Sequence, residues 1–332
     1  MDNSSKKKED QARFFDMIQH TLPANHVLVD VVSELLNVGI DASYRRIRGA
    51  KLLDFEEIMI LCKHFRISMD SITGFIDKQL HCEFAPVNVV DTNSYLPFAI
   101  EWSNSLEYFR GSSESEIILS ATDIPAFNLL SYNELAFFQL FAWNKAVSDF
   151  PDGYDEFVNE QNTIEFSKYY QKISRNYQLI PSTEIWTDNT LDSFLKSISY
   201  HFEMIHFKDN KVPLFLCEQL MNLMDTLYDW ATKGTKGSNN VPYKLYISEV
   251  DIGNTFILLK SKERSSSLIK LFAYNGLSIS DESFCQVTDR WLQKLAQRAT
   301  LISGTSEKER FKFFNAQRQK INFLIDKIQN SF

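Results

Sequence analysis

Glycine and proline are scarce in this 332-residue chain, at 10 and 8 residues. Average usage would place roughly 12% of a chain in these two types, more than twice what is found. With so few turn formers, a many-stranded sandwich is excluded and long helices are expected. Cysteine is also sparse. Cys62, Cys82, Cys217 and Cys285 are far apart, with no CxxC pair. That spacing excludes a disulfide scaffold and points to free, mostly buried thiols in a reducing compartment. No window of 18 residues is apolar throughout, so no membrane-spanning helix is predicted. The opening MDNSSKKKEDQ has a basic run but no apolar segment of a secretory signal, and a cytoplasmic protein is expected. GxSxG, P-loop and GxGxxG motifs are all missing. No constellation for an enzyme is visible, and no cofactor is expected.

What is present is apolar and aromatic. Hydrophobic residues make up 44%, enough for a sizeable core, and there are 27 phenylalanines. The net charge of -8 excludes a globally basic coat for nucleic acid. It is unevenly spread: residues 1–80 hold 11 basic and 12 acidic side chains, so most of the negative excess lies beyond them. The pattern predicts a mostly α protein in two parts. Residues 1–10 read as a loose tail, 11–82 as five short helices, and 83–332 as a larger helical region. Short amphipathic helices are expected over 13–20, 27–37 and 40–48, from Asp54 onward, and over 69–76. Longer ones are expected over 95–109, 132–147, 154–176, 190–207 and 213–232, and two more close the chain near 281–301 and 306–329. After the polar loop KGTKGSNNVP, the stretches 244–249, 255–260 and 268–272 read as a small antiparallel meander at about 243–273. Glu116–Leu119 suits either a strand or a helix start.

The densest information lies between Leu28 and Ile72. Two short helical patterns flank Asn37-Val38-Gly39, with the small Ser33 before the turn and apolar Leu36 and Val38 on either side of it. In the second pattern, Ser43 and Ile47 are i, i+4 neighbours that form a buried pair, leaving Asp41, Tyr44, Arg45 and Arg48 outward. Arg45, Arg46, Arg48 and Lys51 place four cations within seven residues with no acid between them. Arginine reads guanine through paired donors to O6 and N7, and it also clamps phosphates. Asp41 can accept from a cytosine amine or merely favour the helix dipole, Tyr44 can reach a phosphate or base edge, and Ile40 can meet a thymine methyl or simply pack.

The blocks Glu34-Leu35-Leu36-Asn37-Val38, Ser43-Tyr44-Arg45-Arg46-Ile47-Arg48-Gly49 and Leu61-Cys62-Lys63-His64-Phe65 with Ile67-Ser68-Met69-Asp70 carry a resemblance. This stretch resembles the five-helix DNA-binding domain of phage-repressor-like regulators. More narrowly, it is similar to the BetR-type N-terminal domain of bacterial transcriptional regulators. The likeness covers about 65 residues. It differs from the usual pattern at Gly39-Ile40, where Ser or Thr followed by a polar residue is common. The resemblance implies a helix-turn-helix domain on double-stranded DNA, with Ile40, Asp41, Tyr44, Arg45, Arg46, Arg48 and Lys51 at the contact. A homodimer is expected, with a C-terminal region that dimerises or senses a small-molecule or protein effector. The alternative is a non-catalytic adaptor built on protein–protein contacts.

Other clusters read as structural. His81-Cys82 with Cys62-Lys63-His64 would be the one candidate zinc set, but Cys62 and His64 are i, i+2 on a helix and point apart, so no metal is expected. His201 and His206 read as part of a wet helix face. Ser303-Gly304-Thr305-Ser306 reads as a capped helix-to-helix turn rather than an anion site. The aromatic abundance between 95 and 230 suits either ordinary core or a cavity for an apolar or aromatic effector. The stripe Phe311, Phe314, Ile321, Leu324, Ile325 and Ile328 suits either core packing or a dimer seam.

Overall fold

The computed structural model describes residues 3–22, 26–65, 67, 80–84, 86–87, 95–147, 153–160, 163–272 and 275–331. The chain forms two compact units, Met1–His81 and Cys82–Phe332. No helix among the described residues is long and apolar enough to cross a membrane.

Four helices of the first unit are described: α1 (Asn3–Thr21), α2 (Leu28–Leu36), α3 (Ile40–Ile47) and α4 (Phe55–Phe65). The fifth helix expected over 69–76 lies outside the described residues. Residues 3–10 are not a loose tail, because α1 starts at Asn3. Lys, Glu, Gln and Ala in KKKEDQA are good helix formers, and they extend the helix back from its apolar part. Phe14, Phe15 and Ile18 of α1, Val32 of α2, and Leu61 and Cys62 of α4 form the core of this unit.

The second unit contains far more sheet than the sequence predicts. Its elements run α5 (Tyr95–Gly111), β1 (Glu116–Ser120), α6 (Ala126–Leu129), α7 (Asn133–Val147), α8 (Tyr154–Glu160), α9 (Thr163–Gln178) and β2 (Ser182–Trp186). Then come α10 (Asp192–Glu203), α11 (Lys211–Lys233), β3 (Thr235–Lys236), β4 (Val241–Ile247), β5 (Phe256–Lys260), β6 (Ser265–Phe272) and β7 (Asn275–Ile279). The last three are α12 (Glu282–Arg298), β8 (Thr300–Leu301) and α13 (Glu307–Gln329). The sheet order is β3-β4-β2-β1-β5-β6-β7, with β8 against β4. β1, β2 and β4 are parallel, with Leu119 opposite Glu184 and Glu184 opposite Leu245. β5 returns antiparallel on the other side of β1, with Ile118 opposite Leu258. The expected meander is therefore corrected: β4 does not pair with β5, and the antiparallel ribbon is β5-β6-β7.

Both faces of the central strands are covered, as parallel strands require. Ile117 and Leu119 of β1, with Ile257 and Leu259 of β5, enter the large aromatic core beneath the helices. Ile118, Ile185 and Leu258 point the other way, toward Cys285 and Leu292 of α12. At the centre of the helical side, Glu184 is fully buried. Its carboxylate accepts from the Tyr177 hydroxyl, from the Trp186 indole N–H at 2.7 Å and from the Asn128 amide at 3.2 Å. The equally buried Lys236 donates to Ser182 Oγ at 2.6 Å and lies 3.2 Å from the Tyr177 ring centroid. Burial pushes the Glu184 carboxyl up and the Lys236 ammonium down.

One open alternative closes and one expectation changes. Phe314, Ile321, Leu324 and Ile328 of α13 lie in the unit's own core, so that stripe is packing and not a free dimer seam. Phe311 of the same stripe is exposed. His201 and His206 do not form a wet face. α10 ends at Glu203, and Ile205 adopts a left-handed φ of 57° that turns the chain back. The two imidazoles meet through their Nδ1 atoms at 2.8 Å, with His201 buried against Phe138 and Phe141.

Burial, with His206 and Lys145 nearby, lowers the His201 pKa from its ordinary 6.5 to about 4. A base held neutral in the fold stabilises it fully above its unfolded pKa and progressively less as pH falls toward the folded value. At about 1.4 kcal/mol per pKa unit, roughly 3 kcal/mol is at stake between pH 6.5 and 4. All five tryptophans lie in the second unit, so their emission reports its unfolding. The denaturant midpoint of the wild type should fall across this window more steeply than that of His201→Phe. Parallel pH profiles would exclude His201 as the cause.

Candidate nucleic-acid interface

The α2–turn–α3 segment owes its shape to local hydrogen bonds. Asn37 ends α2 in the left-handed conformation at φ 50°, where the amide side chain is tolerated. Its N–H donates to Glu34 O, and Val38 N–H reaches back to Ser33 O at 3.1 Å. The Ser33 hydroxyl donates to Val38 O at 2.6 Å, so this small residue ties the turn to α2. Gly39 is the N-cap of α3 with extended backbone (φ -67°, ψ 157°), and Ser43 N–H donates to its carbonyl at 3.0 Å. At the far end Gly49 has φ +68°, a conformation that strains any side chain. Ala50 N–H donates to Arg45 O and Gly49 N–H to Arg46 O, which closes the helix as a Schellman motif.

α3 buries Ser43 completely and presents Ile40, Asp41, Tyr44, Arg45 and Arg48 to solvent, with Lys51 exposed just beyond it. Arg46 departs from the expected set. Only 4% exposed, it donates through Nε to Glu57 Oε1 at 3.0 Å, through a second guanidinium N–H to the same oxygen, and through a third to Ala42 O. Its position three residues after Ser43 turns it toward α4, so it is a structural cation turned away from the exposed face. The Glu57 hydrogen bond raises the Arg46 pKa, and the same bond holds the Glu57 carboxyl below its usual range.

Glu57 has a second task. Asp54 Oδ1 accepts from Glu57 N–H at 2.9 Å, and Glu57 Oε2 accepts from Asp54 N–H at 3.2 Å. This reciprocal pair is a capping box at the start of α4. One carboxylate thus caps α4 with one oxygen and holds α3 with the other. Lys51 Nζ is 3.9 Å from Glu57 Oε1, at the limit of an ion pair. Arg45 makes no ion pair among the described residues. Arg48 reaches only its own helix, with Nε 3.4 Å from Tyr44 O and the guanidinium 5.9 Å from the Tyr44 ring centroid.

Two participants escape the sequence reading, which places Lys8 in a tail over residues 1–10 and begins the first helix at residue 13, beyond Gln11. From α1, the Gln11 amide donates to Arg46 O at 2.7 Å and Lys51 O at 2.9 Å, while its oxygen accepts from Leu53 N–H at 2.8 Å. Gln11 therefore fixes the α3–α4 connection that carries Lys51. Lys8, one helical turn earlier, is exposed and lies with its stem beside Gly49. No sequence motif marks either residue; only the helical continuity of KKKEDQA brings them near α3.

No family model, curated protein or solved structure matches this chain.

Two substitutions test this local scheme. Glu57→Gln leaves a buried cation without its carboxylate and should cost the first unit about 3 kcal/mol. In the wild type this contribution is present above the ordinary carboxylate range and is lost as pH falls below it. Gly39→Ser adds a capping hydroxyl where a Cβ meets nothing within 4 Å, and should stabilise α3 by a few tenths to about 1 kcal/mol. Both are read as shifts of the circular dichroism transition that tryptophan emission does not follow. A Glu57→Gln variant with an unshifted transition would refute the scheme.

Proposed function

We propose that the chain is a sequence-specific DNA-binding transcriptional regulator. Its first unit reads duplex DNA through the exposed face of α3, and its second unit carries sensing or dimerisation. The observation that carries this reading is the separation of charge around α3. Glu57 of α4 is turned inward to Arg46, while Arg45 and Arg48 stay on the outward face with Ile40, Tyr44 and a single acid of α3, Asp41. A short helix after a tight turn, with one face buried and the other polar and cationic, suits insertion into a major groove. The resemblance to phage-repressor-like and BetR-type domains agrees with this placement. Arg45 and Asp41 are assigned to base edges, Ile40 to a thymine methyl, and Arg48, Lys51 and Tyr44 chiefly to the backbone. Lys8 adds a further phosphate contact.

A single such unit reads few base pairs, and two linked copies gain affinity and specificity together. A homodimer is therefore part of the proposal, although the Phe311–Ile328 stripe does not supply its seam. The rival reading is a non-catalytic adaptor. It is favoured by the exposed Leu52, Phe55 and Ile60 of the first unit, an apolar set suited to a protein partner.

The deciding experiment measures binding to selected and random duplexes. Arg45→Ala should lose about 1–3 kcal/mol of discrimination at one base position. Lys51→Ala should weaken all duplexes alike and flatten the logarithmic salt dependence by about 1. Arg46→Ala should lower the melting temperature and leave discrimination unchanged once unfolding is accounted for. If Arg45→Ala and Lys51→Ala weaken specific and random DNA by the same factor, the base assignment fails. Salt-independent association would remove the DNA reading altogether.

A further inference from the structure

The second unit contains a cleft at the carboxyl end of β1, where the strand order reverses. β1, β2 and β4 advance to one side, and β5 then returns to the other side of β1. Open α/β sheets commonly hold small ligands outside the carboxyl ends of their parallel strands, and β1 ends here beside the start of the antiparallel β5. The cleft is narrow inside, about 60 Å³ for the centres of water-sized spheres, and about 730 Å³ only when the open solvent at its mouth is included. Its floor is formed by Leu119 of β1 and Ile257 of β5, and its walls include Phe98 and Trp102 of α5 and Trp143 of α7. The Phe98 and Trp102 rings lie 5.9 Å apart between centroids, and Trp102 rests at 5.1 Å on Phe127. This is a preassembled aromatic wall resting on the main core.

The polar groups decide what fits. Asp123 and Lys270 both line the cleft and form an ion pair with one another. The Lys270 ammonium also lies 5.4 Å from the Trp143 ring centroid. A charged ligand head has to break that pair and leave one partner uncompensated, whereas a neutral one leaves it intact. Thr255 Oγ1 is 2.9 Å from the Thr122 hydroxyl and accepts Thr122 N–H at 3.2 Å. Gln139, half-buried on α7, lines the cleft with no side-chain hydrogen bond among the described residues. An amide offers both a donor and an acceptor, so its natural complement is a ligand edge with a hydrogen-bonding group.

We infer that this cleft is a binding site for a neutral, flat aromatic molecule with one hydrogen-bonding edge, stacked on the Trp102–Phe98 wall with its edge on Gln139. The inference is independent of the DNA reading, since the cleft lies wholly within the second unit and binding is read without DNA.

The test compares two dyes with the same ring skeleton on the full chain: neutral phenylnaphthylamine and anionic anilinonaphthalene sulfonate. The neutral dye should bind saturably, one per chain, with energy transfer from tryptophan. The anion should bind about tenfold more weakly, because Asp123 already holds Lys270, the only cation among the described residues that line the cleft. Asp123→Asn frees Lys270 and should strengthen anion binding by about tenfold while leaving the neutral dye within about twofold. Ala126→Trp, on the half-exposed first residue of α6, fills the cleft and should abolish both. Non-saturable binding of the neutral dye would overturn the inference. So would equal affinity for the two dyes, or an Asp123→Asn variant with unchanged preference. These readouts remain decisive if Ala126→Trp fails to fold.

Discussion

The Arg46–Glu57 ion pair sorts the cations of the first unit. Four basic side chains fall within seven residues, and without an inward acid all of them would seek solvent. Glu57 takes one of them, Arg46, and fixes the rotation of α3 about its axis by doing so. Arg45 and Arg48 are then left facing outward, while Ser43 faces in. The same carboxylate caps α4, so the end of one helix and the start of the next are held by one group. Gln11 completes the arrangement from α1 by satisfying three backbone groups of the connection between α3 and α4. The exposed face is thus a consequence of buried polar bonds rather than of composition.

The second unit meets a different constraint. Its central parallel strands are covered on both sides, and a carboxylate sits in their midst. Glu184 is tolerated because Tyr177, Trp186 and Asn128 all donate to it and Lys236 lies close by. A half-satisfied carboxyl there would cost several kcal/mol, so these residues stand or fall together. The cleft at the end of β1 is built on the same frame: Phe127 stacks on Tyr177 at 4.8 Å and supports the Trp102 wall.

The sequence was most legible where helices are amphipathic and their ends chemically marked. α2, α3 and α4 fall within a residue or two of expectation because Asn37, Gly49 and the Asp54–Glu57 pair punctuate them. The long helices α5, α7, α11 and α13 were equally legible from their periodicity. β2 was not legible: its five residues, STEIW, are all buried, which erases the alternation that marks a half-exposed strand. Pairing was misjudged for the same reason, since nothing in residues 244–249 reveals a parallel partner sixty residues upstream. Arg46 was misplaced because a cation among cations gives no sign of facing inward. The His201–His206 contact depends on the backbone reversal at Ile205, a residue that rarely adopts such a conformation.

The position of β1 in the sheet has a consequence for the newly made chain. Ile118 acquires one neighbour from Thr183 and the other only from Leu258, so the sheet's central strand stays half-paired until most of the protein has left the ribosome. The first unit waits far less, because Ser33 meets Val38 five residues on and Arg46 meets Glu57 eleven residues on. Local contacts of this kind form quickly, while distant strand pairing is slow and leaves sticky edges open in the interval. Synthesis therefore yields a finished N-terminal unit well before its companion. Until β5 arrives, one edge of β1 stays open to pairing with another strand.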